Sequence, residues 1–214
     1  MFDWDSMKNK IILADNKDVM KDIPDKFFDI CLTDPPYNVN IKYNTHDDNF
    51  INYNEWCLNW FNECLRISKC FIFTPGMVNL KFWYTNTEPK WCFCWFKNNQ
   101  NSPSPLGGFN IWEPILIYGK NKKRIGQDGF DIKIGLQKDA SFHPVPKSLK
   151  AWSRLIELFT DEKDLIIDPF SGSGTTAIAC HNLNRNFLAV EKDEDYYKAS
   201  CDRLEILRSQ GTLF

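Results

Sequence analysis

Short runs rich in β-branched and aromatic residues alternate with longer amphipathic stretches from one end of this chain to the other. A mostly parallel sheet covered by helices satisfies that alternation, and few other architectures do. Strands are expected at about Lys10–Ala14, Phe28–Thr33, Cys70–Thr74, Trp91–Phe96, Pro114–Tyr118, Leu165–Ile167 and Phe187–Val190. Apolar residues recur at three- and four-residue spacing over about Tyr53–Ser68, Met77–Thr85, Pro146–Phe159, Gly174–Leu183 and Asp195–Arg208, which reads as helices. The expected fold is therefore α/β, a twisted sheet with helices on both faces. At 214 residues the chain suits one domain, 1–214, better than two.

Two long segments, Asn38–Asn52 and Lys120–Phe142, show no period, and loops of that length are more often functional than idle. The second carries Lys120, Lys122, Lys123, Arg124, Lys133 and Lys138 against Asp128 and Asp131. It is the best local basic patch in a chain of net charge −2, so any nucleic-acid surface must be local. The eight cysteines lie scattered in apolar segments with no signal peptide ahead of them, and they read as reduced, buried thiols of a cytoplasmic protein. Cys92 and Cys94 have one residue between them, a core-strand spacing, and no metal site is expected. No apolar run reaches the roughly 20 residues that cross a bilayer, and no membrane association is expected.

Near the C-terminus, Asp164-Leu-Ile-Ile-Asp-Pro-Phe-Ser-Gly-Ser-Gly-Thr-Thr176 joins an apolar strand ending in Asp168 to a tight two-glycine turn and a helix start. Gly172 and Gly174 let the backbone approach a ligand, and free amides at the helix start favour an anion. A Walker-type phosphate loop would need a lysine here, and a dinucleotide fingerprint would need a third glycine where Ala177 stands. What remains is a cofactor with a carboxylate in place of phosphate, cradled by Phe170, Ser171, Gly172, Ser173, Gly174 and Thr175. Glu191, at the end of the next strand, is placed to grip its ribose hydroxyls.

The second motif is Asp34-Pro-Pro-Tyr37, also at the end of a buried strand. An aromatic exocyclic amine is a poor nucleophile because its lone pair is delocalised into the ring. The Asp34 carboxylate and the Pro35 carbonyl supply two acceptors for its hydrogens, favouring a localised lone pair. Pro36 stiffens the turn, and Tyr37 offers a stacking surface for a base. Such an amine is hidden in a duplex, so the nucleotide would have to be flipped out.

Together the two motifs resemble those of the DNA amino-methyltransferases, in the order of the permuted β group, with Asp34-Pro-Pro-Tyr37 first and Asp168-Pro-Phe-Ser-Gly-Ser-Gly174 last. The resemblance covers most of the chain. It implies a Rossmann-like methyltransferase fold and S-adenosylmethionine as cofactor. It also implies duplex DNA as substrate, a place in restriction-modification, and adenine N6 as target, since Asp-Pro-Pro-Tyr leans to adenine within the family. Asp15 looks like the family residue near the cofactor adenine, and Trp112-Glu-Pro-Ile-Leu116 like a late central strand. His143-Pro-Val-Pro-Lys147 is similar to a family segment usually spelled His-Pro-Thr-Gln-Lys, which would turn His143 and Lys147 toward the cofactor's methionine carboxylate. The target-recognition region would be the short stretch 120–142, with Lys120, Lys122, Lys123, Arg124 and Lys133 on phosphates. The Asn38–Asn52 loop, a second subunit or an accessory partner would supplement so short a reader. The alternatives are a cytosine-N4 enzyme, an RNA or protein amino-methyltransferase, and a non-catalytic module that keeps the fold.

Overall fold

In the computed structural model, which describes residues 2–41, 51–100, 102–134 and 140–211, the strands are β1 (Lys10–Leu13), β2 (Phe28–Thr33), β3 (Ser68–Phe73), β4 (Trp91–Phe96), β5 (Trp112–Gly119), β6 (Gly129–Asp131), β7 (Leu165–Asp168) and β8 (Asn186–Glu191). They join in one sheet, in the order β1-β8-β7-β2-β3-β5-β4-β6. Only β5 runs against its neighbours, β3 and β4; the other pairings are parallel. The carboxyl ends of β1, β2, β3, β4, β7 and β8 therefore lie along one edge of the sheet, and β5 begins there.

The helices are α1 (Trp4–Met7), α2 (Asn16–Met20), α3 (Tyr53–Ile67), α4 (Leu80–Asn86), α5 (Leu149–Phe159), α6 (Thr175–Asn182) and α7 (Glu194–Gly211). They cover both faces, because alternate residues of the central strands are apolar on each side. Ile30, Leu32, Ile72, Ile115 and Ile117 pack with Trp152, Leu155, Ile156 and Phe159 of α5. On the other face Cys31, Phe71, Phe73, Leu116 and Tyr118 pack with Cys57, Trp60, Phe61 and Cys64 of α3 and Trp83 of α4.

Helix starts follow their caps more closely than their apolar pattern. Helix α5 begins at Leu149, because Ser148 Oγ accepts from Ala151 N at 3.4 Å, and Pro146 lies outside it. Helix α7 begins at Glu194, where Asp193 Oδ1 takes the amides of Asp195 and Tyr196, both at 3.0 Å. The expected helix from Met77 divides into a 3-10 turn, Met77–Asn79, and α4. Strand β6 lies inside the segment 120–142 and pairs with β4, so that segment is not one loop. Much of Asn38–Asn52, and Lys138 of the basic patch, lie outside the described residues. The eight cysteines are free thiols. Among the described residues no helix is long and apolar enough to cross a membrane.

Candidate active site

The turn after β2 is held by side chains from two other elements. Tyr53 Oη donates to Pro36 O at 2.9 Å, and Asn79 Nδ2 donates to Tyr37 O at 2.8 Å and to Tyr53 Oη at 3.0 Å. The carbonyls of Pro36 and Tyr37 are thereby engaged. Gly76, at φ +69°, underlies the Tyr37 ring: a Cβ there would meet Tyr37 Cγ at 2.9 Å. That close approach requires glycine.

A chain of alternating charges runs inward from this turn. Asp34 Oδ1 accepts from Tyr37 Oη and Thr74 Oγ1. Lys147 Nζ lies 2.9 Å from the same oxygen, 2.6 Å from Glu113 Oε1 and 3.1 Å from Tyr37 Oη. The other Glu113 oxygen is paired with Lys97 Nζ, which also sits 4.7 Å above the Trp95 ring. Lys97 and Glu113 are buried at 4% and 8% exposure, whereas the Asp34 side chain keeps 23% of its surface open to the cleft.

The electrostatics follow from that order. Burial pushes the Glu113 carboxyl up, but Lys147 and Lys97 together outweigh it and hold it at about 2. Burial likewise pulls the Lys147 ammonium down, and Asp34 and Glu113 outweigh it, so Lys147 stays charged. For Asp34 burial wins: its carboxyl is raised against the pull of Lys147.

The glycine turn forms the facing wall. Gly172, at φ +50°, donates its amide to Glu191 Oε2 at 2.7 Å, and Asp193 N donates to Glu191 Oε1 at 2.8 Å. A Cβ on Gly172 would meet His143 Nε2 at 3.0 Å, so the turn and the imidazole are in close contact. His143 also packs on Tyr196, with 4.7 Å between centroids, and burial lowers its imidazole to about 4, so the ring is neutral near pH 7. Ser171 Oγ is buried without a hydrogen-bond partner among the described residues. An unpartnered hydroxyl, a Cβ-free cradle and a carboxylate at the next strand end fit a polar cofactor. Asp168 braces the turn: it accepts from Thr33 Oγ1 at 2.6 Å, Thr176 Oγ1 at 2.5 Å and Phe170 N at 3.1 Å. Burial raises its carboxyl to about 6 against those hydroxyls.

Both walls open on one cleft with about 1100 Å³ of empty space, part of it open to solvent. Asp34, Pro35, Pro36 and Tyr37 line one side, and Phe170, Ser171, Gly172, Ser173 and Glu191 line the other. Asp15, His143, Lys147, Asp168 and Thr175 also reach it. Asp15 caps α2 through Lys17 N at 2.9 Å. Gly174 does not line the cleft. It faces Ser200 and Ile11, where a Cβ would approach Ser200 Cβ to 3.0 Å, so its smallness serves the packing of α6 against α7.

The basic patch does not assemble at the cleft. Lys120 N bonds Lys69 O at the start of β3, Lys122 pairs with Asp161 and Asp164 just before β7, and Lys123 Nζ donates to Glu157 O and Thr160 O. These residues, with Arg124 in the same turn, sit at the amino ends of the parallel strands, on the edge away from the cleft. The cause is that β5 runs antiparallel and carries the chain away from the site. Of the basic residues expected on DNA, Lys133 alone among those described returns to the cleft edge, between β6 and Ile134, whose backbone bonds Asn99 at 2.8 and 2.9 Å.

In the sequence Glu113 is legible only as part of a late strand, and no motif singles out Lys97 or Thr74. A glutamate inside the apolar run Trp112–Gly119 was the available signal, because a charge is seldom buried without a partner.

Residues 81–202 match the N6_N4_Mtase family, described as DNA methylase. The type II methyltransferase M.HpaI of Haemophilus parainfluenzae is 25% identical over 238 residues, covering 93% of this chain and 75% of that protein. The putative methylase YubD of Escherichia coli (strain K12) is 26% identical over 212 residues, covering 92% and 90%. Among solved structures, the M1.HpyAVI–SAM complex aligns with a TM-score of 0.66 at 24% identity, covering 91% of this chain and 98% of that one. The cytosine-N4-specific PvuII DNA methyltransferase aligns with a TM-score of 0.71 at 17% identity, covering 90% and 85%. Both structures share the Rossmann-like fold of this chain.

Proposed function

Since this chain belongs to the DNA methylase family, we propose that it transfers a methyl group from S-adenosylmethionine to the exocyclic N6 amine of an adenine flipped out of duplex DNA. The observation that carries this reading is the convergence of the Asp34 and Gly172 strand ends on one cleft. When bound, S-adenosylmethionine supplies an electrophilic methyl group. Ser171, Gly172, Ser173 and Glu191 would hold it, with Asp15, His143 and Phe170 closing around them.

The chain's own residues then act on the amine. The described contacts of Asp34 all reach Oδ1, which leaves Oδ2 to accept an amino hydrogen, while the Pro35 carbonyl accepts the other. Two acceptors localise the nitrogen lone pair, and alignment does the rest. Lys147, 2.9 Å from Oδ1, favours the charged form of Asp34, whereas burial raises its carboxyl. Oδ2 would take the proton that the methylated nitrogen sheds. The Asp-Pro-Pro-Tyr spelling supports adenine over cytosine.

The deciding experiment is methylation of defined DNA followed by nucleoside mass analysis. N6-methyldeoxyadenosine is the expected product; N4-methyldeoxycytidine would shift the assignment to cytosine, and methyl transfer to RNA or protein alone would overturn it.

The cofactor wall has its own test. Gly172→Val puts a branched side chain at φ +50° against His143 Nε2. Strain of about 1–3 kcal/mol is expected to weaken S-adenosylmethionine binding by about tenfold or more. Equilibrium dialysis checks this, and unaltered affinity would remove the turn from the cofactor site.

A further inference from the structure

With most of the basic patch on the far edge, a different element lies at the edge of the sheet on which the cleft opens, where β4 ends and β5 begins. The β4–β5 connection leaves the sheet at Lys97 and returns at Ile111, closed by Lys97 N to Ile111 O at 2.7 Å. Its root is the charge network itself: Lys97 pairs with Glu113, and Glu113 with Lys147 against Asp34. Within the connection, residues 102–110 form a hydrogen-bonded finger. Pro103 and Phe109 form a β-bridge, Asn110 N bonds Ser102 O at 2.8 Å, and Ser104 N bonds Gly108 O at 2.8 Å. Gly107, at φ +84°, completes the turn with its amide on Ser104 O at 3.0 Å.

The tip of this finger is apolar and bare. Leu106 is 96% exposed and Phe109 62% exposed, on a backbone fixed by hydrogen bonds. From Asn98 to Trp112 the sequence holds no charged residue. A surface that met phosphates would carry cations, whereas one that meets stacked bases needs apolar and amide groups. Flipping a nucleotide leaves a gap in the stack, and apolar side chains are the usual wedges at such gaps.

We infer that the 102–110 finger enters the duplex beside the extruded nucleotide, with Leu106 as the wedge that fills the vacated place. This deepens the DNA reading above and rests on it. The test is single-turnover methyl transfer by the wild-type protein and Leu106→Ala. Two duplexes carrying the methylated site are compared, one fully paired and one with the target base opposite an abasic position, where unpairing is already complete. On the paired duplex the variant is expected to lose at least about tenfold, and on the unpaired one to come within about threefold of wild type, because only the first requires the wedge. The slope of log affinity against log salt is expected to be unchanged, since no phosphate contact is removed.

Wild-type rates of Leu106→Ala on the paired duplex would overturn the inference, as would equal losses on both duplexes, which would mean a damaged cleft. A melting curve of the variant confirms that it is folded. A wild-type protein that methylates no DNA would overturn the DNA reading itself, a result separate from either outcome for the variant.

Discussion

Asp34→Ala is expected to cut methyl transfer by at least about 10³-fold, a loss at the upper end of what one preorganised polar group supplies. The substitution removes the acceptor that localises the amine lone pair, the group placed to receive its proton, and one of the two carboxylates on Lys147. Cofactor affinity is expected to stay within about twofold, because the Gly172 wall shares no hydrogen bond with Asp34. Single-turnover rates with saturating DNA, set beside equilibrium cofactor binding, separate the two effects. Asp34→Asn sharpens the result: it preserves the shape and one acceptor oxygen but removes the charge, so activity between the two would apportion hydrogen bonding against proton acceptance. Full-rate transfer by Asp34→Ala would exclude the assigned role.

How far the sequence carries depends on whether the signal is periodic or positional. Strands β2 and β4 are read to the residue because an apolar run bounded by turn residues is unmistakable over six positions. Strand β6 spans only three residues, Gly129–Asp131, too few for any period, and its pairing with β4 is fixed by tertiary contact alone. The two motifs were legible because each sits at a strand end, and parallel strands bring such ends to a common edge whatever their separation in sequence. What could not be read was direction. Nothing in the residues of β5 says that it runs antiparallel, yet that reversal sends Lys120, Lys122 and Lys123 to the far edge and brings the uncharged 102–110 finger to the near one. Glu113 was hidden for a related reason: its partners Lys97 and Lys147 lie 16 and 34 residues away in sequence.

That hidden glutamate governs the second large effect. Glu113→Leu leaves Lys97 and Lys147 buried with one carboxylate between them, and breaking a buried pair in this way is expected to cost about 3–5 kcal/mol of stability. The double variant Lys97→Met/Glu113→Leu removes one charge of each sign and leaves Lys147 paired with Asp34. It is expected to recover most of the loss, since apolar groups of similar volume replace a buried ion pair at little cost. Urea unfolding of the four proteins of this cycle gives the coupling directly. The effect is also pH-dependent, with a fixed sign. The folded protein holds Glu113 at about 2 against an ordinary value of 4.5, so the unfolded chain takes up the proton first as pH falls. The stabilisation is complete above pH 4.5 and is lost progressively as the pH falls toward 2, so the gap between wild type and Glu113→Leu should narrow over that window. A gap that stayed constant there, or a double variant as unstable as the sum of its single variants, would mean that Glu113 acts by filling space, and the alternating charges behind Asp34 would then have no part in holding the fold.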